Sequence, residues 1–138
     1  MPFTRAAARA VLVMVPSVAS AGDFDGTKPL TCALLELSSC ASGADCQRET
    51  PESANVPRFV FVDVQKNSIS ATRPGGEALN SKIERVRTLG DLLVLEGAEN
   101  ALSWTLNVSQ STGRMSFAAA GDSIGFVVFG ACVRASPN

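Results

Sequence analysis

The clearest pattern in the chain is LSWTLNVS at 102–109, where Leu102, Trp104, Leu106 and Val108 fall on one side and Ser103, Thr105, Asn107 and Ser109 on the other. Alternation with a period of two is that of a half-buried strand and cannot build the apolar face of a helix. RMSFAAA repeats it through Met115, Phe117 and Ala119, after a Gln110–Gly113 loop whose glycine can take positive φ. Gly121-Asp122 then turns the chain into IGFVVFGACV at 124–133, which is apolar on both faces and so expected to be covered. Upstream, RFVFVDVQ at 58–65 is rich in β-branched and aromatic residues, and Lys66-Asn67 turns it into SISATR at 68–73. Pro74-Gly75-Gly76 opens a loop expected to run to about Ser81; KIERVRTL at 82–89 and LLVLEGA at 92–98 follow, split by Gly90-Asp91. Residues 30–39, LTCALLELSS, fit either strand or helix, and the small, polar 41–57 segment with Pro51 and Pro57 reads as a long loop.

These segments amount to seven strands, or eight if 30–39 is extended, joined mostly by tight turns. An all-β, antiparallel up-and-down meander is therefore expected. A meander this apolar leaves hazardous edges unless it curls into a barrel or folds into two packed sheets, and the barrel is favoured over the sandwich.

The beginning of the chain has another character. MPFTRAAARAVLVMVPSVASA carries Arg5 and Arg9, an apolar stretch from Ala10 to Val15, and the small residues Ala19-Ser20-Ala21. That is the layout of a secretory signal peptide over residues 1–21, with cleavage expected before Gly22 and a single β domain at 22–138. The apolar stretch is too short to span a bilayer, and no later segment approaches a membrane span. Without the leader the charge balance becomes 10 basic against 13 acidic residues, spread without long runs. Nucleic acid and anionic membrane call for a basic face, so neither is expected as a partner.

The four cysteines, Cys32, Cys40, Cys46 and Cys132, all follow the leader. An even number in an exported chain reads as two disulfides, and periplasmic or secreted localisation agrees with that chemistry. Three connectivities exist. Cys40 and Cys46 flank the short polar loop ASGAD, which leaves Cys32 and Cys132 near the two ends of the folded chain. That pairing would set the first and last strands side by side, as a barrel requires. A metal site is the weaker reading: there is no CxxC pair and no histidine, and no cofactor is expected.

Catalytic chemistry finds little to work with. Without histidine the usual general base and the Ser-His-Asp and Cys-His arrangements are missing. Of Glu36, Asp63, Glu77, Glu84, Asp91, Glu96, Glu99 and Asp122, only Asp63 and Glu96 interrupt apolar strands. They are candidates for a polar site, although an outward-facing strand residue explains them too. Arg85 and Arg87 alternate on one strand and could hold an anion or simply face solvent. Trp104, Phe117 and Phe126 are expected inside, as core or as the wall of a ligand site, and Phe129 is expected with them.

The C-terminal stretch, with Trp104, Thr112-Gly113 and the ending GFVVFGACV, resembles uncharacterised small exported (periplasmic) β proteins of proteobacteria. The resemblance covers most of the mature chain and implies export and a β fold, but no particular activity. In architecture the chain is also similar to periplasmic lysozyme inhibitors, small barrels that tie an early cysteine to a late one. Their Ser-Gly-x-x-Tyr-type loop is not found, since Ser42-Gly43 is followed by no tyrosine, and lysozyme inhibition is not expected. The leading expectation is an exported, non-enzymatic binding or accessory protein for a small apolar ligand. Capture of another exported protein through the 41–57 loop comes second, and a carboxylate-dependent hydrolase third.

Overall fold

The computed structural model describes residues 23–136, so the expected leader and cleavage point lie outside the described residues. Ten strands form: β1 (Leu30–Ala41), β2 (Gln47–Glu49), β3 (Phe59–Asp63), β4 (Ser68–Thr72), β5 (Ala78–Lys82), β6 (Arg85–Leu89), β7 (Leu92–Glu99), β8 (Leu102–Ser109), β9 (Arg114–Ala120) and β10 (Ile124–Arg134). All belong to one antiparallel sheet in the order β5-β4-β3-β1-β10-β9-β8-β7-β6, with β2 added alongside β1. The sheet curls into a half-barrel whose apolar face lies on its concave side, and no helix occurs among the described residues.

The strand count exceeds the expected seven to eight, and three local features explain why. Residues 30–39 are strand. A register shift between Leu34 and Glu36 turns Leu35 outward beside Glu36 and sends Leu37 back inward, which spoils the alternation and lets the segment pass for a helix. Gln47–Glu49, expected as loop, pairs with Leu37–Ser39. The stretch expected as a loop up to Ser81 contains β5, and the single strand expected at 82–89 is divided by a bend at Ile83-Glu84. That bend carries the chain from one end of the sheet to the other. Ile83 N donates to Asn67 O at 2.9 Å on the β3–β4 side, and Glu84 N donates to Glu96 O at 2.9 Å on the β7 side. The hydrogen-bonded order ends at β5 and β6, so the sheet is a curled half-barrel rather than a sandwich or a continuous ring of ladders.

The ends of the chain meet where the sequence places its distant cysteines. β1 and β10 are neighbours over almost their whole length, Cys32 faces Cys132 in register, and the two are bonded. Cys40 and Cys46 form the second disulfide, closing the loop that leads into β2. Two disulfides fit an oxidising, extracellular compartment.

One end of the half-barrel is tightly filled. Leu30, Cys32, Val62, Leu93, Val108 and Cys132 are buried there, and the lead-in segment folds beneath them. Asp25 accepts from Thr27 N at 2.9 Å and Thr27 Oγ1 at 2.6 Å, which holds its carboxyl below the ordinary range. Those bonds shape the turn that seats Gly26, at φ +87°, against Leu93 and Val64.

Candidate functional site

The other end is not filled. Inward-facing alternation continues to the ends of the strands, yet Val60, Ile69, Leu102, Phe117 and Phe126 remain only partly buried. They surround a cavity of about 190 Å³ bounded by β1, β3–β5 and β7–β10, with Val56 and Pro57 of the 50–57 loop on one rim and Glu99 and Asn100 at the β7–β8 turn on another. The exposed Asn100 shows that the cavity reaches the surface.

Its floor and wall are aromatic. Trp104, Phe117 and Phe126 come from consecutive strands β8, β9 and β10 and form a row, with ring centroids 6.0 and 5.9 Å apart and planes inclined by 25° and 29°. Such offset arrangements suit aromatic pairs, and the row gives the cavity a continuous polarisable wall. The register allows this, because Trp104 pairs with Ala119, and Phe117 with Leu106 and Val128. Large rings are thus stepped between small or aliphatic neighbours.

Trp104 also spans the gap between the sheet ends. Its Nε1 donates to Ser81 Oγ on β5 at 3.1 Å. Its ring crosses the cross-strand neighbour Gly97, where any Cβ would collide with the indole and approach the Lys82 carbonyl oxygen at 2.6 Å. Gly97 is what lets the indole lie flat across β7 to reach β5. Nothing in the local sequence marks this role.

The polar side chains of the lining are four, Arg73, Ser81, Glu99 and Asn100. Arg73 donates through NH1 to Asn55 O at 2.8 Å and lies 3.0 Å from Glu77. It ties the 50–57 loop to the β4–β5 turn, so its charge is balanced within the chain. Ser81 is engaged by Trp104. The remaining lining is predominantly hydrocarbon, which favours an apolar guest over a charged one.

The expected interior residues Trp104, Phe117 and Phe126 are therefore brought together, whereas Phe129 is not: it faces outward and is 53% exposed. Since β10 is apolar on both faces, only its pairing decides which residues point inward, and Val128 takes the inward place opposite Phe117. The expected polar site divides. Arg85, Arg87 and Glu96 do meet on the outer face, with Arg87 NH2 at 3.0 Å and Arg85 NH1 at 3.8 Å from the Glu96 carboxylate. That arrangement is a cross-strand ion network in which the acid offsets one of the two cations. Asp63 is engaged elsewhere: its carboxylate accepts from Lys66 N at 3.1 Å and lies 3.9 Å from the Lys66 ammonium, shaping the β3–β4 turn. Among the described residues no three potential metal ligands cluster. The rim residues Val56, Pro57, Arg73 and Asn100 were beyond sequence reasoning, because they come from three separate connections.

No protein-family model, no curated protein and no solved structure matches this chain.

Proposed function

We propose that this is an exported, non-enzymatic binding protein that takes a small apolar molecule into the unfilled end of its half-barrel. The observation that carries this reading is the aromatic row Trp104–Phe117–Phe126 beside a cavity of about 190 Å³ that none of the described residues fills. Apolar walls left open to water forgo the burial free energy that a fitting apolar guest would supply. Cavities of about 150 Å³ accept a benzene ring, and drug-sized ligands need roughly 300 Å³ or more, so the guest has on the order of six to ten heavy atoms. A single ring or a short aliphatic chain matches both size and lining.

Titration of the protein with single-ring aromatics and with six- to ten-carbon alcohols and carboxylates (roughly the guest size above) tests this through Trp104 emission. A saturable change is expected, and Ala119→Leu, which fills the cavity from its buried wall position, should abolish it while preserving the fold. Unchanged emission across the panel, together with native mass spectra free of any adduct, would rule the reading out.

A second reading, capture of another exported protein, is favoured by residues 41–48. They are exposed, closed by the Cys40–Cys46 bridge and continued by β2, so little ordering entropy would be lost on binding. Scrambling residues 41–45 should abolish capture of any partner recovered from the periplasm; retained capture defeats this reading.

A further inference from the structure

The convex face of β3, β1 and β10 carries a cluster of exposed apolar side chains, with the polar Thr31 and Glu36 among them. Leu35, Phe59, Phe61, Val127, Phe129 and Val133 all point outward there, exposed by 39–63%. With full side-chain surfaces of roughly 150–200 Å², these six expose on the order of 550 Å², at the upper end of what a monomeric protein leaves uncovered. Elsewhere the outer face is mainly polar: β8 presents Ser103, Thr105, Asn107 and Ser109, and β6 and β7 present the Arg85–Arg87–Glu96 network with Leu89 as an isolated apolar side chain. The apolar area is therefore a bounded patch rather than a girdle around the sheet.

The layout of the patch identifies its occupant. Phe59, Ala33, Ala131 and Arg114 form one cross-strand row over β3, β1, β10 and β9. The row has an aromatic ring at one end, two alanines in the middle and a cation at the other. The Arg114 guanidinium makes no ion pair among the described residues. A two-fold axis parallel to the strands and passing between the alanines turns this row onto itself. Each Phe59 then opposes Arg114 of the second copy, and each Ala33 opposes Ala131. In the flanking rows Phe129 opposes the Leu35–Glu36 bulge, where the Glu36 carboxylate keeps to the rim, and Val133 opposes Thr31. Rings over a shallow alanine floor interlock, and a cation over an aromatic face is attractive. A patch that answers itself under a two-fold is the requirement of an isologous dimer. With its rim the patch approaches the roughly 800 Å² per partner of a standard interface.

We infer that the protein forms a symmetric dimer through this convex face, with the cavity of each copy left free. Sedimentation velocity of the mature protein from about 1 to 100 µM reads the association directly. The wild type should be dimeric. Phe59→Lys sets like charges opposite each other and should weaken the dimer at least tenfold, whereas Phe59→Glu creates an ion pair with Arg114 and should stay within about threefold of wild type. Phe59 is exposed, so near-ultraviolet circular dichroism and melting temperature should be unchanged in both variants. A wild type that is monomeric at about 100 µM overturns the inference, as does equal weakening by the two substitutions or none by either. Flotation of monomeric protein with phosphatidylcholine vesicles would assign the face to lipid and equally overturn it.

Discussion

The Cys32–Cys132 bridge joins the first and last long strands, and its removal should be far more costly than removal of the second disulfide. It closes a loop with a sequence separation of 100, against 6 for Cys40–Cys46. Loop-closure entropy in the unfolded chain converts these to about 4.7 and about 2 kcal/mol. Both Cys32 and Cys132 are buried, at 0% and 3% exposure, so truncation to alanine also loses core contacts, whereas Cys46 is exposed. A domain of this size has roughly 6–17 kcal/mol of total stability, so the first loss is a large fraction of it. Cys32→Ala/Cys132→Ala should lower Tm by roughly 20 °C and Cys40→Ala/Cys46→Ala by less than about 10 °C. In urea the first variant should also show a steeper unfolding slope, because its unfolded chain is freed to expand and expose more surface. Urea and thermal melts of both variants and wild type provide the comparison. If the two double variants fall within about 1 kcal/mol of each other, the unfolded-chain argument fails.

Three further outcomes are expected. Gly97→Ala should destabilise by about 1–3 kcal/mol, because the added methyl meets the Trp104 indole and the Lys82 carbonyl oxygen; red-shifted Trp104 emission should accompany the loss, and an unperturbed spectrum would contradict the packing. At the β6–β7 turn, Asp91 accepts from Ser109 Oγ at 2.6 Å and Ser111 Oγ at 2.9 Å, and these bonds hold its carboxyl below the ordinary value. A lowered folded-state pKa stabilises above the unfolded carboxyl range and is lost as pH falls through the folded value, so the deficit of Asp91→Asn should be full near neutrality and shrink below about pH 4 in pH-dependent urea melts. In the Phe59→Lys background, where the convex face is uncovered, Phe129→Ser should cost less stability than Phe117→Ser on the concave wall; equal losses in thermal melts would refute the assigned facing of β10.

Much of the secondary structure was legible because a strand's alternation is written locally. Leu102 to Ser109 could only be a strand with Trp104 inside, and four cysteines placed after a leader-like segment pointed to two bridges. What escaped depends on contacts between distant segments. The bulge at Leu34/Glu36 breaks the period in β1, and the bend at Ile83-Glu84 divides a run that reads as one strand. Phe126 and Phe129 look equivalent in an all-apolar segment, and pairing with β9 alone sends one inward and the other out.

The sequence alone therefore determined the all-β class, the antiparallel succession of strands and the means of stapling the chain ends. Tertiary structure decided which face of each ambiguous strand is covered, that the sheet stops at β5 and β6, and that an aromatic wall stands beside unfilled space. The physical reason is one of range. Backbone geometry imposes its period on each residue and its near neighbours, whereas a cavity exists only where side chains from separate strands fail to meet.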